Sequence, residues 1–323
     1  MSKTILEVNN ISKYFSIKRG FLKRSIGAIK AVDGVTFALQ QQETLGLVGE
    51  SGCGKTTLAQ LIIRLLTPDS GDIIFNGENI SCISQRKLKT HRRSMQIVFQ
   101  DPYSSLDPLY RTKDIIAEAF VSAKETSREE REERIQELLK LVLLPKNVLN
   151  RYPHEFSGGE RQRIAIARSL AVNPQLLILD EAVSNLDVVI QAQILSLLAE
   201  LQKKLKLTYL FISHNLRVIK KVSTKVAVMY QGKIVEMATT DELFHQSIHP
   251  YTRALLAAAL EMKSAAQKEV VALPREISGC QYHPRCPYAQ AICRKNVPEL
   301  RENETGHYVA CHFPMSSATV NNI

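Results

Sequence analysis

Hydrophobic and polar residues alternate along the chain in blocks that predict strands and helices in turn. Apolar runs rich in β-branched and aromatic residues predict strands at 5–8, 35–39, 44–48, 72–75, 96–99, 176–179, 209–212 and 225–230. Helical stretches between the later strands are typical of a parallel sheet. The first four strands are closely spaced and predict an antiparallel edge sheet joined to the strand that precedes the glycine-rich segment described below. The pattern therefore indicates an α/β fold.

Residues 104–170 follow a different pattern, with weak strand signals and a charged stretch at 129–144 whose leucines share one helical face. We predict a helical subdomain inserted into the α/β core here. After Pro250, a helix at 251–262 leads into a polar linker and a cysteine-bearing tail. The sequence contains no internal repeat. We therefore predict one large α/β domain at 1–250 and a C-terminal region at 251–323.

Composition suits a soluble globular protein, since 45% of the 323 residues are hydrophobic and 23% are charged. No apolar run approaches the roughly 18–20 residues that a membrane-spanning helix needs. The start, Met-Ser-Lys-Thr, does not resemble a signal peptide. We therefore expect the protein to stay in the cytosol.

The net charge of +10 is unevenly distributed. Basic runs of this kind bind nucleic acid, anionic lipid headgroups or acidic loops of a partner, or simply form a solvated face. Charge alone does not choose among these. The two clusters are Lys3, Lys13, Lys18, Arg19, Lys23, Arg24 and Lys30, and then Arg86, Lys87, Lys89, Arg92 and Arg93.

A glycine-rich segment joins the apolar strand at 44–48 to a helical stretch at 58–66. It fits the pattern G-x-x-x-x-G-K-[ST] in the required strand–loop–helix context. Backbone N–H groups of such a loop bind phosphates together with the helix N-terminus. We predict a MgATP site in which Lys55 reaches the β- and γ-phosphates and the Thr56 hydroxyl binds Mg²⁺. The predicted loop comprises Gly49, Glu50, Ser51, Gly52, Cys53, Gly54, Lys55, Thr56 and Thr57.

Two acids follow the buried strand predicted at 176–179. We expect Asp180 to hold Mg²⁺, directly or through water, and Glu181 to polarise the attacking water as general base. Gln100 and His214 also follow predicted strands and could face the same γ-phosphate. Gln100 is expected to join Mg²⁺ or the water, and His214 to hydrogen-bond to the γ-phosphate.

The segment Ser157-Gly158-Gly159-Glu160 opens the helical stretch 164–170, and paired glycines before a helix form a second anion-binding terminus. With this segment the chain resembles the ATP-binding cassette (ABC) family, whose signature is Ser-Gly-Gly-Gln. The resemblance also takes in the glycine loop, Gln100, the two acids, the turn at 184–187 and His214, in family order. It covers about residues 4–250.

The resemblance implies a P-loop NTPase cassette, with a RecA-like core, an antiparallel β subdomain and an inserted helical subdomain. It implies ATP hydrolysis by two cassettes that dimerise head to tail. Ser157, Gly158 and Gly159 of one cassette would then close on the ATP bound by the other. Phe15, rather than Tyr14, matches the aromatic that stacks on adenine, and Asp187 joins the nucleotide-site residues.

Further stretches resemble ATPase subunits of oligopeptide/dipeptide importers, namely 31–35, 99–108, 151–156, 249–255 and the cysteine tail. The likeness implies a peripheral subunit on the cytoplasmic face of the inner membrane. Its implied partners are a second related ATPase, making a heterodimer, two permeases that contact residues near 103–110, and an extracytoplasmic peptide-binding protein. Nickel or glutathione import, peptide export, and a soluble ABC ATPase acting on nucleic acid are the alternatives, although no nucleic acid partner is expected.

Three residues depart from the usual family pattern: Glu160 replaces Gln, Asn185 replaces Ala, and Asn215 replaces an Asp that often follows the histidine. None of these changes removes a catalytic group. Glu160 adds negative charge near the partner's ATP, and we expect it to be tolerated through a pair with Arg161 or Arg163. Both half-sites are therefore expected to be competent from this side.

Cys280, Cys286, Cys293 and Cys311 crowd into a short segment that contains Pro284, Pro287 and Pro298. The spacing differs from the paired C-x2-C of zinc ribbons, and four thiolates also suit a [4Fe–4S] cluster. His283, His307 and His312 keep a mixed Cys/His site for Zn²⁺ open, and unligated thiols are the third reading. The resemblance to peptide-importer ATPases implies the iron–sulfur cluster, with a structural role as its default.

Overall fold

A computed structural model describes residues 3–19, 24–120, 127–260 and 277–316. Its strands are β1 (Thr4–Arg19), β2 (Arg24–Gln40), β3 (Thr44–Val48), β4 (Ser70–Phe75), β5 (Glu78–Asn79), β6 (Met95–Val98), β7 (Leu176–Asp180), β8 (Thr208–Ile212), β9 (Lys225–Tyr230), β10 (Lys233–Thr239), β11 (Arg301–Glu304) and β12 (His307–Val309). Its helices are α1 (Lys55–Ile62), α2 (Gln85–Ser94), α3 (Pro102–Ser105), α4 (Thr112–Glu118), α5 (Arg128–Leu141), α6 (Gly158–Leu170), α7 (Val188–Leu205), α8 (Leu216–Val222), α9 (Thr240–Gln246), α10 (Pro250–Leu260) and α11 (Ala291–Lys295).

The larger sheet has the strand order β11-β12-β10-β9-β3-β8-β7-β6, and the five strands from β9 to β6 run parallel. Strands β3, β7 and β8 are buried at every position, which is why their sequences are continuous apolar runs. Alternate side chains enter opposite cores: Leu45 and Leu47 pack with α1, whereas Val48 packs with the helical segment. The prediction of an α/β fold is confirmed.

The smaller sheet is antiparallel, with the order β2-β1-β4-β5. The predicted edge sheet is confirmed for the strands at 5–8, 35–39 and 72–75, which extend further than predicted. The prediction that the strand at 44–48 belongs to this edge sheet is wrong. That strand is β3, at the centre of the larger sheet, because its two buried faces pair in parallel with β8 and β9.

The described residues between 104 and 170 form helices and turns without a strand, as predicted. Two short 3-10 turns, Lys146–Asn150 and Pro153–Glu155, join α5 to α6. The helix predicted at 129–144 ends at Leu141, because Leu143 takes a positive φ of 57° and is 66% exposed. Residues 121–126 lie outside the described chain.

The tail extends the larger sheet, because β12 pairs antiparallel with β10 through Glu236↔Val309 and Met237↔Tyr308. Strand β11 then pairs with β12 at the sheet edge. The helix predicted at 251–262 corresponds to α10, and its last predicted residues lie outside the described part. The domain boundary at residue 250 stays a prediction. Across the described residues, no helix is both long enough and apolar enough to cross a membrane.

Candidate functional site

The glycine-rich loop connects β3 directly to α1, as the motif predicts. Gly54 caps the helix with a φ of 111°, a conformation that L residues rarely adopt. A Cβ atom at Gly54 would lie 2.0 Å from the backbone oxygen of Ala31 in β2. The loop therefore requires glycine at this position both for its conformation and for its contact with the smaller sheet.

Lys55 is 5% exposed and points back into the loop. Its Nζ donates hydrogen bonds to the backbone oxygens of Gly49 and Glu50, at 2.9 and 3.0 Å. The buried Cys53 sulfur lies 3.7 Å from the same Nζ, and burial raises the pKa of Cys53. The loop thus encloses the ammonium group of Lys55 at its centre, next to the Cys53 thiol, which stays protonated at neutral pH.

Asp180 and Thr56 meet beneath the loop. The Thr56 hydroxyl donates a hydrogen bond of 3.2 Å to Oδ1 of Asp180, which is 2% exposed. Burial raises the pKa of Asp180, while the hydrogen bond from Thr56 and the charge of Lys55 oppose that rise. A hydroxyl and a carboxylate side by side are oxygen ligands of the kind that Mg²⁺ prefers, so these residues fit the predicted ion.

Glu181 follows β7 with a φ of 50°, in the left-handed region that non-glycine residues seldom occupy. Its N–H donates to the backbone oxygen of Ile212 at the end of β8, at 2.9 Å. Its Oε1 lies 3.2 Å from Nδ1 of His214, which follows β8. The structure therefore brings two predicted site residues together. This pairing and the positive φ have no signal in the sequence.

Gln100 lies two residues beyond β6 and is exposed. Strand β6 pairs in parallel with β7, with Val98 opposite Leu179. Gln100 therefore lies at the same edge of the sheet as Asp180. The order of parallel strands places both residues at their carboxyl ends, as sequence reasoning expects.

Phe15 and Tyr14 differ in how firmly they are held. The Tyr14 hydroxyl donates a 2.7 Å hydrogen bond to Asp33, whereas the 39% exposed Phe15 ring has Lys13 Nζ 5.9 Å from its centroid. Phe15 pairs with Ile29, two residues before the Ala31 oxygen that faces the loop. Tyr14 is equally exposed, at 38%, and has Lys30 Nζ 5.8 Å from its ring centroid, so Phe15 as the adenine-stacking ring stays a prediction.

Ser157 forms a capping box at the start of α6. Its hydroxyl and its N–H both donate to Oε2 of Glu160 at 2.9 Å, and the Glu160 N–H donates back to the Ser157 hydroxyl. These hydrogen bonds lower the pKa of Glu160, and the charge of Arg163 adds to them. Glu160 therefore forms its hydrogen bonds with Ser157, whereas Arg161 and Arg163 donate to the backbone oxygens of Phe156 and Val142; the tolerance of Glu160 stays a prediction.

The start of α6 packs on the start of α7. A Cβ at Gly159 would lie 2.5 Å from Cγ2 of Ile190, and Gly158 faces Leu186. Asp187 caps α7 by accepting the N–H groups of Val189 and Ile190. Within the described chain, no hydrogen bond joins Ser157, Gly158 or Gly159 to residues 49–57. Within the described residues, the two predicted phosphate-binding segments are therefore not joined by a hydrogen bond.

All four tail cysteines line one small cavity of about 20 Å³, together with His283 and His312. His307 lies elsewhere, with its Nε2 2.8 Å from buried Glu236. Burial raises the pKa of Cys280, Cys286 and Cys311, the last to about 11. In the part of the chain that the structure describes, no three cysteine, histidine or acidic side chains are close enough to hold a metal ion. The predicted cluster is therefore not supported by a preformed site.

Sequence reasoning missed two residues that contact the loop from the C-terminal region. The Tyr251 hydroxyl accepts the N–H of Glu50, and the Arg285 guanidinium bonds the Glu50 carboxylate. The only available signal was the stretch at 249–255, which the family resemblance included without assigning Tyr251 a contact.

Comparisons with known proteins agree with this geometry. The sequence pattern of the family described as ABC transporter matches residues 32–184, and that of the oligopeptide/dipeptide transporter C-terminal region matches residues 235–293. The oligopeptide transport ATP-binding protein AppF of Bacillus subtilis is 47% identical, over 96% of this chain and 98% of that protein. The di/tripeptide transport ATP-binding protein DppF of Pseudomonas aeruginosa is 41% identical, over 96% and 98%. A solved dimeric ATP-binding cassette, in a post-hydrolysis state with ADP and Pi, has a TM-score of 0.65 at 26% identity, over 73% of this chain and 98% of that one.

Proposed function

This chain belongs to the ABC transporter family, and from that membership we propose that it powers the uptake of oligopeptides or dipeptides as the ATP-hydrolysing subunit of a membrane importer. It binds ATP and is an ATPase of the cassette class. The observation that carries the peptide assignment is the match of residues 235–293 to the oligopeptide/dipeptide transporter C-terminal region. Relatives named for oligopeptide and di/tripeptide transport match along nearly their full length.

The roles proposed for the nucleotide-site residues follow from their positions. Lys55 and the backbone of residues 49–57 bind the phosphates, and Phe15 stacks on the adenine. Thr56, Asp180 and Gln100 hold Mg²⁺, which supplies neutralisation of the phosphate charge when bound. The 3.2 Å hydrogen bond between Thr56 and Asp180 supports a shared ion at this point.

Glu181 is proposed as the general base and His214 as the residue that senses the γ-phosphate. The 3.2 Å approach of His214 Nδ1 to Glu181 Oε1 supports a common target for the two side chains. Glu181 is only partly buried, with 13% of its side chain exposed, so a water molecule can reach the carboxylate.

A second cassette completes the site in this proposal. Ser157, Gly158 and Gly159 bind the ATP held by the partner's loop, and Asp187 lies beside them at the interface. Ser157 has no hydrogen bond to residues 49–57 in the described chain, which is compatible with this arrangement, and the dimeric state of the similar solved cassette supports it. We propose a related ATPase as that partner, which makes the pair a heterodimer.

The remaining partners are two permeases and an extracytoplasmic peptide-binding protein, with this chain peripheral on the cytoplasmic face of the membrane. Large apolar side chains at Tyr103, Leu109 and Tyr110 are 52%, 83% and 57% exposed on the helical segment. Exposed apolar groups in one short stretch favour a protein contact, here with a permease. Co-purification of two permeases tests this, whereas salt-sensitive binding of nucleic acid favours a soluble ABC ATPase instead.

The experiment that tests the ATPase site is the substitution Glu181→Gln, which keeps the shape of the side chain and removes its basicity. We expect ATP binding to persist, turnover to fall by about 10²–10⁴-fold, and a closed dimer to accumulate with ATP. Glu200→Gln, the same change at an exposed position of α7, serves as the control. Full ATPase activity in the Glu181 variant would remove the proposed base.

We further propose that Cys280, Cys286, Cys293 and Cys311 hold a [4Fe–4S] cluster, with Zn²⁺ as the alternative. Their shared cavity supports this proposal, although the thiols would have to move closer and lose their protons. Anaerobic purification followed by iron, sulfide and zinc analysis tests it. About four irons and four sulfides per chain are expected for the cluster; zinc without iron selects the alternative.

A further inference from the structure

We propose that Arg285, in the cysteine-bearing tail, is a positioning residue for the phosphate loop and acts through Glu50. The proposal rests on the role assigned above to residues 49–57 in binding ATP. It goes further, because it gives the C-terminal tail a direct part in setting nucleotide affinity.

The first observation is a bifurcated hydrogen bond between segments far apart in the chain. Nη1 of Arg285 donates to Oε1 and Oε2 of Glu50, at 3.1 and 3.0 Å. Glu50 is the second residue of the glycine-rich loop, and its backbone oxygen also accepts from Lys55 Nζ. The tail therefore contacts the loop at Glu50, whose backbone oxygen also positions the phosphate-binding Lys55.

The second observation is that the backbone of the same residue is held from the same side. The N–H of Glu50 donates to the Tyr251 hydroxyl at 3.1 Å, and Tyr251 is 2% exposed. The ring of Tyr251 packs against Tyr230 at 4.5 Å and against Tyr282 at 5.4 Å. Tyr282 lies in the tail, three residues before Arg285, and it lines the cysteine cavity. One aromatic cluster therefore connects the loop, the end of β9 and the tail.

The local structure of the tail holds Arg285 between two cysteines. The N–H of His283 donates to the Cys280 oxygen, that of Arg285 to the Tyr282 oxygen, and that of Cys286 to the His283 oxygen. These bonds close tight turns from 280 to 286. These bonds connect the backbone at Arg285 to Cys280 and Cys286, which both line the cavity.

Electrostatics sets the direction of the effect. ATP brings several negative charges to the loop, so an unpaired carboxylate at Glu50 would repel it. Arg285 cancels that charge and restrains the loop. Both side chains are about half exposed, at 47% and 43%, so solvent screens the pair and the effect on affinity is modest. We expect about a two- to fivefold change, which shrinks as salt is added.

The experiment compares five forms of the full-length protein, the unchanged chain and four variants, by the binding of a fluorescent ATP analogue and by steady-state ATPase kinetics. Arg285→Gln should weaken binding about two- to fivefold and raise KM for ATP in the same ratio, with kcat unchanged. The double variant Glu50→Gln with Arg285→Gln should recover most of the lost affinity, because the repelling charge is gone. Arg301→Gln changes the same residue type in the same tail, where its side chain pairs with the exposed Glu299, and should match the unchanged protein.

Two results overturn the proposal. One is an Arg285→Gln variant whose affinity equals that of the unchanged protein; the other is a double variant as weak as Arg285→Gln, which would reduce Arg285 to a structural role. Lys55→Ala, included alongside, must lose binding. If the unchanged protein itself fails to bind the analogue, the proposed ATP function fails, and that outcome is distinct from failure of the Arg285 contact.

Discussion

At the scale of single residues, the chemistry of the site depends on backbone conformations as much as on side chains. Glu181 adopts a φ of 50°, a conformation that costs about 1–3 kcal/mol for a residue with a Cβ. Its hydrogen bond to the Ile212 oxygen and its approach to His214 hold it there. The proposed base is thus oriented by a neighbouring strand.

Gly54 offers the sharpest residue-scale prediction. Gly54→Ala puts a Cβ 2.0 Å from the Ala31 oxygen at a φ of 111°, so the loop must move away from its phosphate-binding shape. We expect ATP affinity to fall more than about tenfold, since a shift of about 1 Å in a binding group has effects of this order. Binding of a fluorescent nucleotide measures it.

Gly77→Ala is the matched control. Gly77 also has a positive φ, of 83°, but a Cβ there would meet nothing within 4 Å. It lies in an Asn-Gly turn between β4 and β5, so the change should lower stability by about 1 kcal/mol without altering ATP affinity. Equal ATP affinity in the two variants would contradict the argument for Gly54.

At the scale of elements, three helices begin at a signal that is local in the chain. Ser127 with Glu130, Ser157 with Glu160, and Thr239 with Glu242 each form a complete capping box. The pattern S/T-x-x-E therefore marks the first turn of a helix by residue type and spacing alone. It also explains why Glu160 can replace the usual Gln, because either side chain accepts the Ser157 N–H.

The cap of α5 gives a prediction at this scale. Ser127→Ala removes the acceptor of the Glu130 N–H, and we expect a loss of about 1 kcal/mol in the free energy of unfolding. Ser196→Ala, at an exposed interior position of α7, should be neutral or slightly stabilising, because alanine is the better helix former. Urea unfolding of both variants checks this; equal stabilities would mean that the cap contributes nothing.

At the scale of the whole molecule, a buried acid fastens the tail to the core. Glu236 is fully buried in β10 and accepts the N–H groups of Ile248 and His249, at 2.7 and 3.1 Å. Its Oε1 also lies 2.8 Å from Nε2 of His307 in β12. Burial lowers the pKa of His249 to about 4, and its Nδ1 accepts the N–H of Tyr251, which requires an unprotonated nitrogen.

This arrangement predicts a pH dependence of stability. The pKa of His249 is about 4 when folded and about 6.5 when unfolded, so the unfolded chain binds the proton more tightly. Its contribution is therefore complete above pH 6.5 and is lost as pH falls toward 4, by up to about 3 kcal/mol. Urea unfolding between pH 7 and 4.5 should show this slope, and His249→Asn should reduce it. If the imidazole NMR resonance assigned to His249 titrates near pH 6.5, the prediction is contradicted.

Much of the fold was predictable because its signals are local. The alternating apolar runs located the central strands of both sheets, and the glycine motif located the turn from β3 into α1. Strand β10 was missed, because its sequence Lys-Ile-Val-Glu-Met-Ala-Thr contains a charged residue that becomes buried only when tail residues cover it. The lengths of β1 and β2 were underestimated, because charged, polar and glycine residues interrupt the apolar positions beyond the predicted runs.

The amino-acid order alone specifies which residues can bind phosphate, hold an ion and activate water, because those functions need particular side chains at short, regular spacings. Which of these residues meet is a property of the folded chain. In the folded chain β3 lies at the centre of the parallel sheet rather than in the expected edge sheet, and Glu181 lies beside His214. Folding also brings Arg285 onto Glu50. Contacts across such separations depend on strand order and packing, which no local pattern encodes.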